Sequence, residues 1–211
     1  MSGFEPRSGD VLVIVDPQID FCPGGALAVA GGDEVMPGIA ELAAGFGLVV
    51  VTQDWHPANH ASFASNHGAA PFATARMPYG EQVLWPDHCV QGTAGAGFHP
   101  ALAGAVERAH LILRKGYDPK VDSYSAFYEN DRTTATGLAG YLRDKQVRRC
   151  VLVGLAYDYC VAYSAVDAVR EGFEAVVLKD LTRAIAMPSA AGGTTVAEAE
   201  ARFREAGVAV A

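Results

Sequence analysis

Four residues of this sequence stand where an apolar run ends and could do chemistry together. Asp16 closes "VLVIVD", Asp54 closes "LVVVTQD", Lys115 comes one residue before the end of "HLILRKG", and Cys160 follows "CVLVGLA" by four residues. A thiol attacks carbonyl carbon as its thiolate, a carboxylate can take and return the proton, and an ammonium favours the anion. Asp16, Lys115 and Cys160 are therefore candidates for an acyl-transfer site with a cysteine nucleophile. Backbone N–H groups at Ala156 and Cys160 could receive the oxyanion that such a reaction creates. Asp158 reads as the N-cap of the next helix, which puts Cys160 in its first turn, where free amides and the helix dipole make a thiol more acidic. Taken singly, each residue also has an ordinary reading. A strand-end Asp is often a turn former or cap, Lys115 could be a surface lysine, and Cys160 a small buried hydrophobe.

A second set lies in "TQDWHPANHASF" and "WPDHC". Asp54 and His56 are two residues apart at a strand end, so an extended backbone turns both side chains the same way. Oxygen and imidazole donors suit a divalent metal of borderline softness, with His60 and His88 as further candidate ligands. His67, His99 and His110 lack such company and read as structural.

These residues need a scaffold that gathers strand ends. Five runs at 11–16, 48–54, 110–116, 150–156 and 174–180 are rich in Val, Ile and Leu without strict alternation, as strands covered on both faces are. A sixth is the terminal "GVAVA". Helical segments fall at about 33–44, 101–108, 132–145, 160–171 and 195–206. The alternation predicts an α/β fold, a three-layer α-β-α sandwich around a mostly parallel sheet of about six strands. Ligands of such sheets bind beyond the carboxyl ends of the strands, where the candidate residues stand. The span 54–100 breaks the alternation, being rich in Gly, Ala, Pro, His and aromatics. A connection of that length is usually functional, so it is expected to carry the metal and substrate loop. With no internal repeat or linker, residues 1–211 read as a single domain.

Composition narrows the partners. A formal net charge of -8, with no basic cluster denser than "RDKQVRR", argues against nucleic acid. No apolar run reaches membrane-spanning length, and the polar "MSGFEPRSGD" has no export core, so a cytoplasmic protein with no membrane partner is expected. Cys22, Cys89, Cys150 and Cys160 are then expected as free thiols. Oligomeric state is not written in these residues, which leave room for a homo-oligomer.

The stretches "VIVDPQIDFCPGGALAV", "TQDWHPANHASFAS", "WPDHCVQGT", "RKGYDPKVDSYSAF" and "GLAYDYCV" together resemble the nicotinamidase (pyrazinamidase) branch of the isochorismatase-like cysteine hydrolases. The D-x-H pair followed by "WPDHC" carries the narrower likeness. The resemblance implies the isochorismatase-like hydrolase fold and a metal-assisted amide hydrolysis of nicotinamide to nicotinate and ammonia through a thioester. It implies Asp16, Lys115 and Cys160 as the catalytic triad, and Asp54, His56 and His88 as ligands of one divalent ion, zinc first, with iron or manganese as alternatives. His60 matches a position that ligates directly only in some relatives. Phe21 and Trp85 are implied as walls of a slot for the pyridine ring, with Ala156 contributing to the oxyanion site. A cis peptide often precedes the residue matching Ala156.

One position departs from the pattern: Tyr157 stands where A-T-D-Y-C has Thr, and a phenol there is expected beside the substrate pocket. Rival readings fit less well. An isochorismatase-type enol-ether hydrolase needs neither the cysteine nor the D-x-H pair. An aspartate-dependent phosphatase spaces its acids two apart, whereas Asp16 and Asp20 are four apart. A non-catalytic nucleotide-binding module lacks its G-x-G-x-x-G, and a plain metal-binding module leaves Asp16, Lys115 and Cys160 unexplained. A hydrolase of another small amide remains the nearest alternative.

Overall fold

The computed structural model describes residues 4–189 and 192–211. Six strands form one parallel sheet: β1 (Asp10–Val15), β2 (Val49–Asp54), β5 (Leu111–Lys115), β6 (Arg149–Leu155), β7 (Glu174–Arg183) and β8 (Ala209–Val210), in the spatial order β5-β2-β1-β6-β7-β8. The helices are α1 (Met36–Ala43), α2 (Ala103–Glu107), α3 (Leu138–Asp144), α4 (Ala162–Arg170) and α5 (Thr195–Ala206). Right-handed crossovers put α1 and α2 on one face and α3 to α5 on the other. Contacts between α1 and α2, and between α4 and α5, agree with this. The three-layer α-β-α arrangement is the expected one.

The central strands explain their own composition. Every residue of β1, β2 and β6 is buried, so Val, Ile and Leu fill both faces and no alternation survives. Strand order reverses between β1 and β6, which makes their carboxyl ends the switch point where such sheets open a crevice. Asp16 follows β1 and Cys160 follows β6 at that crevice. Gly154 brings the two strands close. Its φ is +104° and an added Cβ would lie 2.2 Å from the Val15 carbonyl oxygen, where the β6–β7 register also shifts.

Three expectations need correction. The span 54–100 is not wholly irregular: β3 (Thr74–Met77) and β4 (Gly80–Val83) pair antiparallel across Pro78 and Tyr79. Four-residue strands with a single buried side chain between them leave too little hydrophobic pattern to read. The third helix begins at Leu138 rather than near 132, because Arg132 and Gly137 both have positive φ (64° and 95°) and break helical continuity. Asp158 is not the N-cap of the helix after β6. The chain enters that helix through a π-helical turn, Tyr157–Val161, with Ala156 in the cap position. The Asp158 carboxylate accepts instead from the N–H groups of Ile185 and Ala186 at 3.0 and 2.9 Å and from the Thr195 hydroxyl at 2.5 Å, tying the turn to the segment after β7.

Candidate active site

The strand ends bring Asp16, Lys115 and Cys160 together as expected. The Lys115 Nζ lies 2.8 Å from Asp16 Oδ2 and donates to Cys160 Sγ at 3.3 Å and to the Ser123 carbonyl at 2.9 Å. It also donates to Asp54 Oδ1. Asp16 stands just past β1 with φ 44°, a conformation held by its N–H on the Thr52 hydroxyl (3.0 Å) while that hydroxyl donates to Asp16 Oδ1 (2.5 Å). Lys115 is the last residue of β5, beside Asp54, the last of β2, and the register pairs the two. All four side chains are buried. Ala156 and Cys160 sit at the two ends of the entry turn, and the Leu155–Ala156 peptide is cis.

Electrostatics corrects one expectation. The thiol of Cys160 is not made acidic by its helix position. Burial pushes it well up, and the charges of Asp16 and Asp54 add to that; Lys115 opposes them without prevailing. Asp16 is raised too, by burial first and by Asp54, against the pull of Lys115. Burial also works against ionised Asp54, but Lys115 and His56 outweigh it and hold the carboxyl well below its usual range. The resting cluster is a neutral thiol beside a carboxylate of raised basicity, which is a nucleophile and base poised for transfer.

The second set also converges. His56 Nε2 and His88 Nε2 lie 3.6 and 3.8 Å from Asp54 Oδ2. Each imidazole gives its other nitrogen to a carbonyl, His56 Nδ1 to Gly116 at 2.8 Å and His88 Nδ1 to Pro86 at 2.8 Å. A carbonyl can only accept, so Nδ1 carries a proton in both rings and Nε2 is the nitrogen turned toward Asp54 for a metal to take. The donor set therefore fits a divalent metal: two imidazoles and an ionised carboxylate, with donor atoms within 4.8 Å of one another. Burial opposes charge on His56, but Asp54 outweighs it and raises that ring's pKa, so a metal would take the place of a proton there. His60 differs. Its Nδ1 accepts from the Ser62 N–H at 3.2 Å, so the proton resides on Nε2, which is buried without a well-formed partner. Burial lowers this ring to about 4, so it is neutral, and as bonded here it offers a donor rather than a lone pair. His67, His99 and His110 each bond backbone groups elsewhere.

Between the two sets lies a cavity lined by Phe21, Leu27, Asp54, His56, Trp85, His88, Asp122, Tyr124, Ala156, Tyr159, Cys160 and Ile185. Phe21 and Trp85 thus border it as expected, Phe21 packing edge-on to His88 at 5.5 Å and Trp85 edge-on to Tyr159 at 4.9 Å. The sequence reading missed Tyr124, Tyr159, Asp122 and Ile185. Asp122 and Tyr124 stand in "VDSYSAF" and Tyr159 in "YDYC", while Ile185 lies outside both, and nothing in spacing alone says which side chain turns inward. Tyr157 is a correction. It is absent from the cavity wall and points behind the turn, edge-on to Phe203 at 5.5 Å and beneath the Lys179 ammonium at 5.6 Å. Residues three apart would share a face of an α-helix, but Tyr157–Val161 is a wider π-helical turn, and there Tyr157 packs on Phe203 while Cys160 borders the cavity.

A parallel α/β sheet that gathers a thiol, an amine and an acid at its strand ends has the groups that acyl-transfer chemistry needs. The isochorismatase domain family matches residues 10–205, and the chain belongs to that family. It is 54% identical over 177 residues to the nicotinamidase of Acinetobacter baylyi (strain ATCC 33305 / BD413 / ADP1), covering 83% of this chain and 82% of that one. The structure of an Acinetobacter baumanii nicotinamidase/pyrazinamidase is similar at a TM-score of 0.92 and 46% identity, covering 98% of this chain and 97% of that one. A Pyrococcus horikoshii pyrazinamidase in complex with zinc is similar at a TM-score of 0.74 and 34% identity, covering 96% of this chain and 98% of that one.

Proposed function

We propose that this protein is an amide hydrolase that converts nicotinamide to nicotinate and ammonia, and by the same chemistry pyrazinamide to pyrazinoate. The observation that carries the reading is Lys115, within 3.3 Å of both Asp16 and Cys160 and bonded to Asp54, beside an aromatic-lined cavity that Cys160, Asp54, His56 and His88 all border. The relatives named above act on this substrate class. Residues 1–211 serve as one catalytic domain, and the four buried free thiols support a cytoplasmic setting.

The ring lies between Phe21 and Trp85 with its carboxamide toward Cys160. Asp16 takes the thiol proton as Sγ bonds to the carboxamide carbon; Lys115 stays with the sulfur and neutralises its charge. Amide N–H groups of Ala156 and Cys160 receive the oxyanion. The protonated Asp16 gives its proton to the leaving nitrogen, the C–N bond breaks, and ammonia departs from a thioester. Asp16, again a carboxylate, deprotonates a water that attacks the thioester, and Cys160 leaves as thiolate and recovers the proton. Asp54, His56 and His88 would hold a divalent ion, zinc by our assignment from the two-imidazole, one-carboxylate set, with iron or manganese as alternatives. When bound, that ion supplies Lewis-acid chemistry beside the ring slot.

Ammonia release from nicotinamide tests the reading, with Cys160→Ala and chelator-stripped protein alongside. Turnover lost in the variant, and lost on stripping but restored by added zinc, supports it. Full turnover by Cys160→Ala, or none by metal-loaded wild type, overturns it.

A further inference from the structure

The β3–β4 hairpin inside the long loop buries almost nothing. Of its eight strand residues only Gln82 is buried, at 1% exposure. So short an antiparallel pair has no core of its own, and the side chain it does bury is a carboxamide, which is unfavourable unless its polar atoms are matched. Each has partners, with the two hydrogens of Nε2 shared among three acceptors. Gln82 Nε2 lies 2.8 Å from each of Asp122 Oδ2, the Tyr124 hydroxyl and the Val83 carbonyl, while Oε1 accepts from Asn130 Nδ2 at 3.1 Å and the Tyr79 hydroxyl at 3.3 Å. A carboxylate and a carbonyl only accept, so the NH₂ end is unambiguous.

Gln82 does not line the cavity, but two of the residues it holds, Asp122 and Tyr124, do. The Tyr124 hydroxyl accepts from the Trp85 indole N–H at 3.2 Å as well as from Gln82, so one oxygen joins Gln82 to the ring wall. Trp85 otherwise meets its neighbours edge-on: Phe72, Tyr124 and Tyr159, at 6.1, 6.1 and 4.9 Å. Such contacts are worth energy but tolerate sliding; the hydrogen bond supplies direction. Asp122, held by the same nitrogen, has a carboxylate oxygen within 4.8 Å of donor atoms of His56 and His60. Without Gln82 that oxygen would turn to other donors at the edge of the slot.

We propose that Gln82 is a positioning residue for substrate selection: its amide fixes Tyr124, through it the Trp85 face of the slot, and keeps Asp122 back. The assignment of the slot to an aromatic amide rests on the function proposed above. Gln82→Leu keeps the volume and removes the hydrogen bonds. KM for nicotinamide is expected to rise about tenfold, the effect of losing roughly one charged hydrogen bond, with kcat changed less than about threefold. Discrimination against the wider quinoline-3-carboxamide should fall. Gln82→Asn, which keeps the amide one methylene short, should raise KM in the same direction with less cost to folding. Combined with Tyr124→Phe, the loss should be less than additive, since both changes empty the same contact. In a Trp55→Phe background the ligand-free protein reports Trp85 alone, and its emission maximum should shift in Gln82→Leu. A merely structural Gln82 would lower Tm and leave KM, the substrate ratio and the emission alone. Any of these three unchanged in folded Gln82→Leu or Gln82→Asn overturns the inference. Absence of nicotinamide turnover by wild type would overturn the proposed function instead, and the emission would still judge Gln82.

Discussion

Gly116→Ala tests how tightly the second site is built. Gly116 follows β5 with φ +66°, and a Cβ there would lie 2.3 Å from His56 Cε1 and 2.7 Å from Nδ1, where ordinary contact begins at 3.4 Å. The imidazole must therefore retreat by on the order of 1 Å, a distance that already exceeds hydrogen-bond tolerance. It cannot keep its 2.8 Å bond to the Gly116 carbonyl while doing so, because obstacle and acceptor belong to one residue. Left-handed backbone costs alanine roughly 1–2 kcal/mol, and the steric displacement brings the total to about 2–3 kcal/mol. For a chain of this size that is a Tm loss of roughly 4–12 °C. Loss of an outer hydrogen bond to a metal-binding imidazole weakens metal affinity by about 10–100-fold. Thermal unfolding of the stripped proteins measures the first number, and zinc titration against a chromophoric chelator measures the second. Gly140→Ala is the control: it lies within α3 with nothing within 4 Å of its would-be Cβ, and it should gain about 0.5–1 kcal/mol. Wild-type zinc affinity in Gly116→Ala would refute the argument that this glycine exists to seat His56.

Other outcomes follow from the same geometry. Lys115→Met leaves Asp16 and Asp54 buried without a countercharge, so turnover should vanish and stability fall by about 3–5 kcal/mol, read as a lower urea midpoint; an unchanged midpoint would show that the cluster rearranges freely. All four thiols are raised above their ordinary 9.0 by burial, Cys22 to about 11 and Cys150 to about 12, with Cys89 and Cys160 well up. The unfolded chain releases those protons first, so this contribution is whole below pH 9 and is lost as pH rises through the folded values. Denaturant midpoints at pH 7.5 and 10 should therefore fall, and a midpoint that holds would contradict the burial. Asp158→Ala strands the N–H groups of Ile185 and Ala186 and the Thr195 hydroxyl. The cost should be about 3 kcal/mol and the KM should rise because Ile185 borders the cavity; equal KM values would separate the clamp from the slot.

How much of this was legible depended on the kind of signal each residue carries. The fully buried strands β1, β2 and β6 could be read because their middles are runs of Val, Ile and Leu, which suit two covered faces. Asp16, Asp54, Lys115 and Cys160 could be read because parallel strands deliver their carboxyl ends to one edge. Asp54 and His56 share a side by strand periodicity alone. What failed was whatever depends on partners distant in sequence. Asp158 has the composition of a cap, yet its acceptors' donors come from 185, 186 and 195. Tyr157 stands three residues before the nucleophile, but the π-helical turn and the packing of Phe203 decide which way it points. Gln82 sits in a hairpin with no hydrophobic pattern, and its importance lies entirely in what its amide touches. The acidity expected of Cys160 from its helix position was outweighed by burial and two carboxylates, which no local motif reveals.

Lys115 makes the two halves of the site one. At 1% exposure its ammonium reaches Asp16, Asp54, the Ser123 carbonyl and Cys160, four acceptors for three hydrogens. An opposite charge about 3 Å away is worth on the order of 5 kcal/mol at an effective dielectric of about 20, so neither carboxylate is easily surrendered. One ammonium facing two carboxylates leaves a net negative charge, and a third anion beside them is unfavourable. Burial first, and this charge after it, keep the thiol protonated. Moving its proton to Asp16 leaves the net charge of the cluster unchanged while converting the only soft nucleophile into its reactive form. Asp54 decides how far Lys115 can follow. Whatever draws that carboxylate toward His56 and His88 loosens its hold on the ammonium and leaves Lys115 to the sulfur 3.3 Å away. The Asp–His–His set and the thiol are thus coupled through a single lysine, and the order of the strands, with β5 and β2 side by side and β1 next to β6, is what puts that lysine within reach of both.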